Sequence, residues 1–221
     1  MALRVIVGMT ATVIALALAG RRLSWLYRLI RVGQPSADRS GANRVTVYKG
    51  SRSQATEVIG QRKLLAWTIP GLAHAFTFWA FIVLGLTIVE AYGALFNARF
   101  GIGSWAGLGF VEDFFASSVL IALVVFTVLR YRQAPSRQGR ASRFYGSHTG
   151  AAWAILVMIF FVIATLLIYR GAQMNGDHFP YRPYPWSFAS WLASKALHPL
   201  GAANEGIETF FVLAQLVVVL A

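Results

Sequence analysis

The sequence predicts an all-α integral membrane protein, a five-helix transmembrane bundle whose fifth helix is cut short. Three observations predict it. The chain is 57% hydrophobic with a mean hydropathy of +0.59, where soluble domains sit at roughly 45–50% apolar. Charged residues make up 13%, about half the usual share. The apolar residues gather into long blocks separated by basic loops, and a bilayer core of roughly 30 Å asks for about 20 apolar residues per helix.

The first block, about 3–29, carries Val5 to Gly20 and ends in Arg21, Arg22 and the aromatic Trp25 and Tyr27. A signal peptide would need a cleavage site before the basic stretch. None is clear, and the aromatic-basic tail reads as an interfacial anchor. Val32 to Gln61 reads as a polar loop around Gly33-Gln34-Pro35-Ser36, with a short amphipathic surface helix near Ser53 to Leu65. The second block, about 64–96, is interrupted by His74 and Glu90. Pro70 is tolerable there in a first turn. A glycine-rich loop with Gly101, Gly103, Gly107 and Gly109 follows, and the third block covers about 113–131.

The fourth block is about 148–170. The polar region after it, Arg170 to Glu208, contains Phe179-Pro180-Tyr181-Arg182-Pro183-Tyr184-Pro185-Trp186, too proline-rich for a simple helix. Ser187 to Leu197 is expected to form an amphipathic interfacial helix. The last block, about 207–221, carries an apolar run too short to cross a bilayer. The expectation is a fifth helix that continues past Ala221.

Net charge is +12, but the cations lie in loops between apolar blocks, where topology explains them better than nucleic acid does. Ten Lys/Arg follow the first block, between Arg21 and Lys63, and five follow the third: Arg130, Arg132, Arg137, Arg140 and Arg143. The second block is followed by one, Arg99, and the fourth by three, Arg170, Arg182 and Lys195. Basic loops stay cytoplasmic. The expectation is a multi-pass protein with its N-terminus outside and its C-terminus cytoplasmic. With no cysteine, the chain can hold neither a disulfide nor a thiolate-ligated zinc or iron–sulfur centre.

An ionisable residue within the membrane is a functional candidate by default. His74 is the clearest, about 10 Å into its helix beyond Trp67 at 1.5 Å per residue. It reads either as a histidine bonded to a neighbouring helix or as an axial haem ligand, since neutral imidazole suits iron and a bundle core excludes water. Phe78, Phe81 and Gly85 fall on its face. His148 opens the fourth helix on the same side, as a solvated residue or a second ligand. Arg62 and Lys63 precede the His74 helix and could serve propionates or anchor the chain. Glu90, Glu112 and Asp113 gather towards the other surface, as ordinary helix-end charges or as proton acceptors at a quinone site. His178 and His198 lie in the outer loops. No phosphate loop, nucleophile elbow, zinc-protease motif or EF-hand loop is present.

The stretch Gly60-Gln61-Arg62-Lys63-Leu64-Leu65, followed by Pro70-Gly71-Leu72-Ala73-His74-Ala75-Phe76-Thr77-Phe78-Trp79-Ala80-Phe81, resembles the membrane domain of heterodisulfide-reductase-related iron–sulfur oxidoreductases. That domain is similar to the nitrate reductase gamma subunit, a five-helix cytochrome b. Gly146-Ser147-His148-Thr149-Gly150-Ala151-Ala152-Trp153 and the aromatic-proline loop resemble actinobacterial members of the electron-transfer-flavoprotein dehydrogenase type. The resemblance implies haem b on His74, a second ligand from the fifth helix, and menaquinone as the acceptor. It also implies a bacterial plasma-membrane location, an electron-transfer flavoprotein as donor and a cytoplasmic iron–sulfur domain beyond residue 221. Where a gamma subunit carries further histidines, this chain has Leu84 and Gln215, which implies one haem rather than two. A cofactor-free membrane anchor for a soluble redox partner and a small transporter are the alternatives. Against the transporter, the helices carry few midplane charges and no paired broken helices.

Overall fold

A computed structural model describes residues 2–33, 47–103 and 105–221, with residues 47–50 as backbone only. The loop expected around Gln34-Pro35-Ser36 lies outside the described residues. Five helices are long and apolar enough to cross a membrane: α1 (Ala2–Val32), α2 (Thr68–Phe96), α3 (Ala106–Arg132), α4 (Thr149–Asn175) and α5 (Ala203–Leu220). No strand occurs among the described residues. The all-α membrane bundle is therefore the fold.

The segment before α2 is broken where the sequence suggested one surface helix running into the second block. A helix at Val47–Gln54 passes into a π-helical turn, Ala55–Ile59, and stops at Gln61, which sits in the left-handed region at φ 52°. A single turn, Arg62–Leu65, precedes a second break at Ala66 and Trp67. Pro70 explains that break: in an unbroken helix its ring would meet the carbonyl of Ala66 and its missing N–H would leave that carbonyl unbonded. Gly71 then lets the turn fold back closely, since a Cβ there would lie 1.9 Å from the Leu64 carbonyl oxygen.

Three other ends differ from the sequence reading. α3 begins at Ala106 rather than near residue 113, so Gly107 and Gly109 belong to its first turn instead of a loop. α4 continues past Arg170 to Asn175, and α5 begins at Ala203 rather than near 207. In each case polar residues taken as helix boundaries lie inside a helix, because they are buried against partners. The helix expected over Ser187 to Leu197 forms, at Phe188–Leu197.

α2 and α3 form one tightly packed pair, and α4 and α5 form another. On α2 the buried stripe is Ala80, Leu84, Thr87, Ala91 and Ala94, a helical three-four spacing. It faces Ala116, Val119, Ala122 and Leu123 of α3. Small residues let the backbones approach, as packing-driven association within a bilayer requires. α1 lies across the outside, its Gly8 against Leu95 and Leu216, and its Thr12 hydroxyl 2.7 Å from that of Tyr92. Outward faces carry large apolar side chains such as Leu16, Ile121, Val124 and Phe210, a surface that lipid covers.

Alternating direction puts the basic segments, before α2 and between α3 and α4, at one end of the bundle, the basic end. The helix Phe188–Leu197 crosses the opposite end against Gly171 of α4, where a Cβ would come 2.8 Å from the Ser194 backbone nitrogen. Gly171→Val should overpack that seam and lower stability by about 1–3 kcal/mol. Thermal unfolding in detergent and faster amide exchange across residues 188–197 are the readouts. Gly150→Ala, placed where nothing lies within 4 Å, should leave both unchanged.

Candidate functional site

Two polar constellations lie at opposite ends of the bundle. At the basic end, α2 carries His74 in its second turn. Its ring lies 4.4 Å from that of Phe126 on α3, tilted by 42°. No hydrogen-bond partner for the imidazole occurs among the described residues. His74 lines a cavity of about 560 Å³ between α2, α3 and α4, walled by Thr77, Phe126, Leu156 and Ile159. That volume falls within the usual range for a small-molecule or cofactor pocket.

Two arginines line the same cavity, Arg130 from the last turn of α3 and Arg143 from the following loop. Arg130 stacks over Phe144 at 4.5 Å, and Arg143 over Trp67 at the same distance. Arg130 Nη1 is buried without a hydrogen-bond partner. A buried guanidinium N–H left unspent is costly, and one that lines a cavity can be completed by an anionic group entering it. The cavity thus combines an apolar body, one free imidazole and two cations.

Arg62 and Lys63 do not line this cavity. Both are exposed, and Lys63 lies 3.8 Å from Glu57. The break at Trp67 separates their turn from the axis of α2, and cations distant in sequence take their place. His148 precedes the first turn of α4, makes no capping bond with its side chain and is exposed; Ala152, one turn later, lines the cavity, whereas His148 does not. No second imidazole or thioether lines it among the described residues. No cluster of three or more metal-ligating side chains occurs among them either.

At the opposite end, Glu90, Glu112 and Asp113 come together, fully buried rather than standing in water. Arg170 of α4 donates to Glu112 at 2.8 Å, and both side chains are enclosed. The guanidinium carbon lies over the rings of Phe179 and Tyr181, at 5.3 and 5.5 Å, and Nε and Nη2 meet no hydrogen-bond partner among the described residues. Asp113 accepts from the backbone N–H and the hydroxyl of Ser190, each at 2.7 Å. That carboxylate satisfies the first turn of Phe188–Leu197, where negative charge is favoured. Glu90 accepts from the Tyr181 hydroxyl and from the Ile102 backbone at 3.3 Å. Burial, then the bond to Glu90, holds the Tyr181 phenol above its ordinary value, so Tyr181 is the donor. Nearby, Glu208 of α5 meets His178 at 3.1 Å and Arg4 at 3.7 Å. His198 is exposed, in the turn after Leu197.

Each of these three carboxylates is engaged by protein groups, and none lines the His74 cavity. Sequence reasoning placed Arg170, Tyr181 and Glu208 in or beside a polar loop and gave them no role. The available signal was the single arginine ending an apolar run, with two adjacent acids opening another. No family model, curated protein or solved structure matches the chain.

Removing one member of a buried pair leaves the other charge uncompensated, at about 3–5 kcal/mol. Arg170→Leu should therefore destabilise the protein by that order, and Glu112→Leu added to it should restore most of the loss. Chemical or thermal unfolding of the two single variants and the double variant reads the coupling directly.

Proposed function

We propose that the chain is a membrane haem b electron-transfer domain, with His74 as one axial ligand. The observation that carries the reading is the free His74 imidazole in an apolar cavity that Arg130 and Arg143 also line. These residues fit half of a haem site. His74 supplies a nitrogen, the arginines supply partners for two propionates, and Phe126 and Ile159 supply the dry wall. A bound haem would contribute one-electron chemistry, tuned by its axial ligands, nearby charge and burial. The chain's own part is to orient the imidazole, exclude water and hold positive charge beside the macrocycle's acidic edge. The resemblance assigns the second ligand to the fifth helix, and the residues lining this cavity do not supply it.

The same resemblance supports the wider assignment. Electrons would pass from a cytoplasmic iron–sulfur domain, fed by an electron-transfer flavoprotein, to menaquinone in a bacterial plasma membrane. The loop charges support the orientation, with the basic end and the C-terminus cytoplasmic. The opposite-end carboxylates, the other quinone candidates, already have protein partners, which favours a structural role for them.

A reduced-minus-oxidised absorption spectrum of the protein, expressed with haem supply, tests the reading. A sharp b-type α-band is expected, and His74→Ala should abolish it. A flat spectrum for the parent protein, or full haem loading of His74→Ala, overturns the assignment and favours a cofactor-free anchor. Replacing Arg130 and Arg143 together by Gln should retain haem and lower its midpoint potential by tens of millivolts. Positive charge beside the propionates stabilises the more negative, reduced state, so losing it disfavours reduction; a redox titration measures the shift.

A further inference from the structure

A second cavity, of about 520 Å³, lies nearer the middle of the bundle between α2, α4 and the later part of α5. Ile155 and Ile159 line both cavities, so the two are neighbours across one pair of side chains. Its wall is almost wholly apolar, with Leu84, Val119, Ile163 and Val219 among the lining residues. The two side chains in it with strong hydrogen-bonding groups are Thr87 and Gln215. Thr87 spends its hydroxyl proton on the Leu84 carbonyl at 2.6 Å.

Gln215 is different. It is 1% exposed, and one end of its amide is taken by the hydroxyl of Thr165. The single proton of that hydroxyl is shared with the Phe161 carbonyl, 2.7 Å away. The other end of the amide meets no partner among the described residues. A primary amide carries a donor end and an acceptor end, and at this depth no bulk water completes either. A half-spent amide in an apolar cavity is a polar handle for a ligand that is otherwise apolar.

We propose that this cavity binds the head ring of a quinone, held by one hydrogen bond to Gln215. The choice of ligand rests on the electron-transfer reading above and on the position of the cavity beside His74's. A quinone is a flat apolar ring whose carbonyl accepts from an amide N–H. Its reduced form carries a hydroxyl that donates to an amide oxygen. Gln215 can serve either state by turning its amide, whereas a saturated lipid chain offers the amide nothing. Gly85 marks the floor: it lines the cavity, and a Cβ there would meet nothing within 4 Å. A larger side chain at that position enters the cavity from α2 and leaves the Gln215 amide in place.

The test is saturation binding of 2,3-dimethyl-1,4-naphthoquinone to the full chain in lipid nanodiscs, with infrared spectra of the bound carbonyls. One saturable site is expected, with one carbonyl stretch moved to lower frequency. Gln215→Leu should remove that shift and weaken binding about tenfold, the order of one hydrogen bond. Gly85→Leu should abolish binding while Gln215 stays intact. Wild-type binding by either variant, or an unshifted carbonyl in the parent, overturns the proposal. Haem spectra of the same samples separate the two readings. Gln215-dependent binding by a haem-free protein keeps this site and sinks the cytochrome assignment. A haem-loaded protein without Gln215-dependent binding does the reverse.

Discussion

The Arg170–Glu112 ion pair fixes the geometry on which the rest depends. The bundle is two close-packed helix pairs, α2 with α3 and α4 with α5, and α3 touches α4 comparatively little. Apolar packing within each pair says little about how the pairs should face one another. A buried guanidinium and carboxylate at 2.8 Å do say it, because a charge left unpaired in that setting is far worse than a loose apolar contact. The pair need not add net stability to set the arrangement. Its strength lies in how poorly any alternative arrangement would satisfy it.

The surrounding groups extend that constraint to the connections. Asp113 holds the start of Phe188–Leu197, Glu90 holds Tyr181, and Asn175 reaches both the Ser194 carbonyl and Asn204. The loop after α4 is thereby fastened to α2, α3 and α5 at once. With one end bolted, the helix pairs can stand apart elsewhere without losing their alignment. The cavities at His74 and Gln215 occupy the space between them. Small residues along the α2–α3 seam draw those two helices together, and no comparable seam closes α2 against the basic-end half of α4.

The fold was legible in the sequence because a bilayer imposes a length and a composition on every crossing segment. Helix ends were less legible. A charge inside an apolar run looks like a boundary when its partner is remote in sequence, as Glu112 and Arg170 are to one another. His74 could be picked out because it stands alone in its block. Its cationic neighbours could not: Arg62 and Lys63 are close along the chain, but the break before Pro70 takes them away, and tertiary packing brings Arg130 and Arg143 instead. Gln215 was visible only as a departure from the resembled pattern, since an uncharged amide is neither an ionisable group nor an ordinary iron ligand.

Polar groups left without a hydrogen-bond partner occur at both ends of the bundle. At the bolted end Asp113 is fully engaged, while Arg170 keeps Nε and Nη2, and Glu112 keeps Oε1, without a hydrogen-bond partner beside their own ion pair. At mid-depth Gln215 is half engaged. Near the basic end His74 has no hydrogen-bonding partner among the described residues, and Arg130 keeps a buried N–H unspent. Structural polar groups in a membrane bundle bond to one another, because the lipid offers them nothing. Surroundings separate the unspent groups: those of Arg170 and Glu112 are enclosed beside each other's charge, whereas His74, Arg130 and Gln215 line cavities. The ion pair and its neighbours thus hold the shape, and the two adjoining cavities hold the polar groups that a ligand can reach.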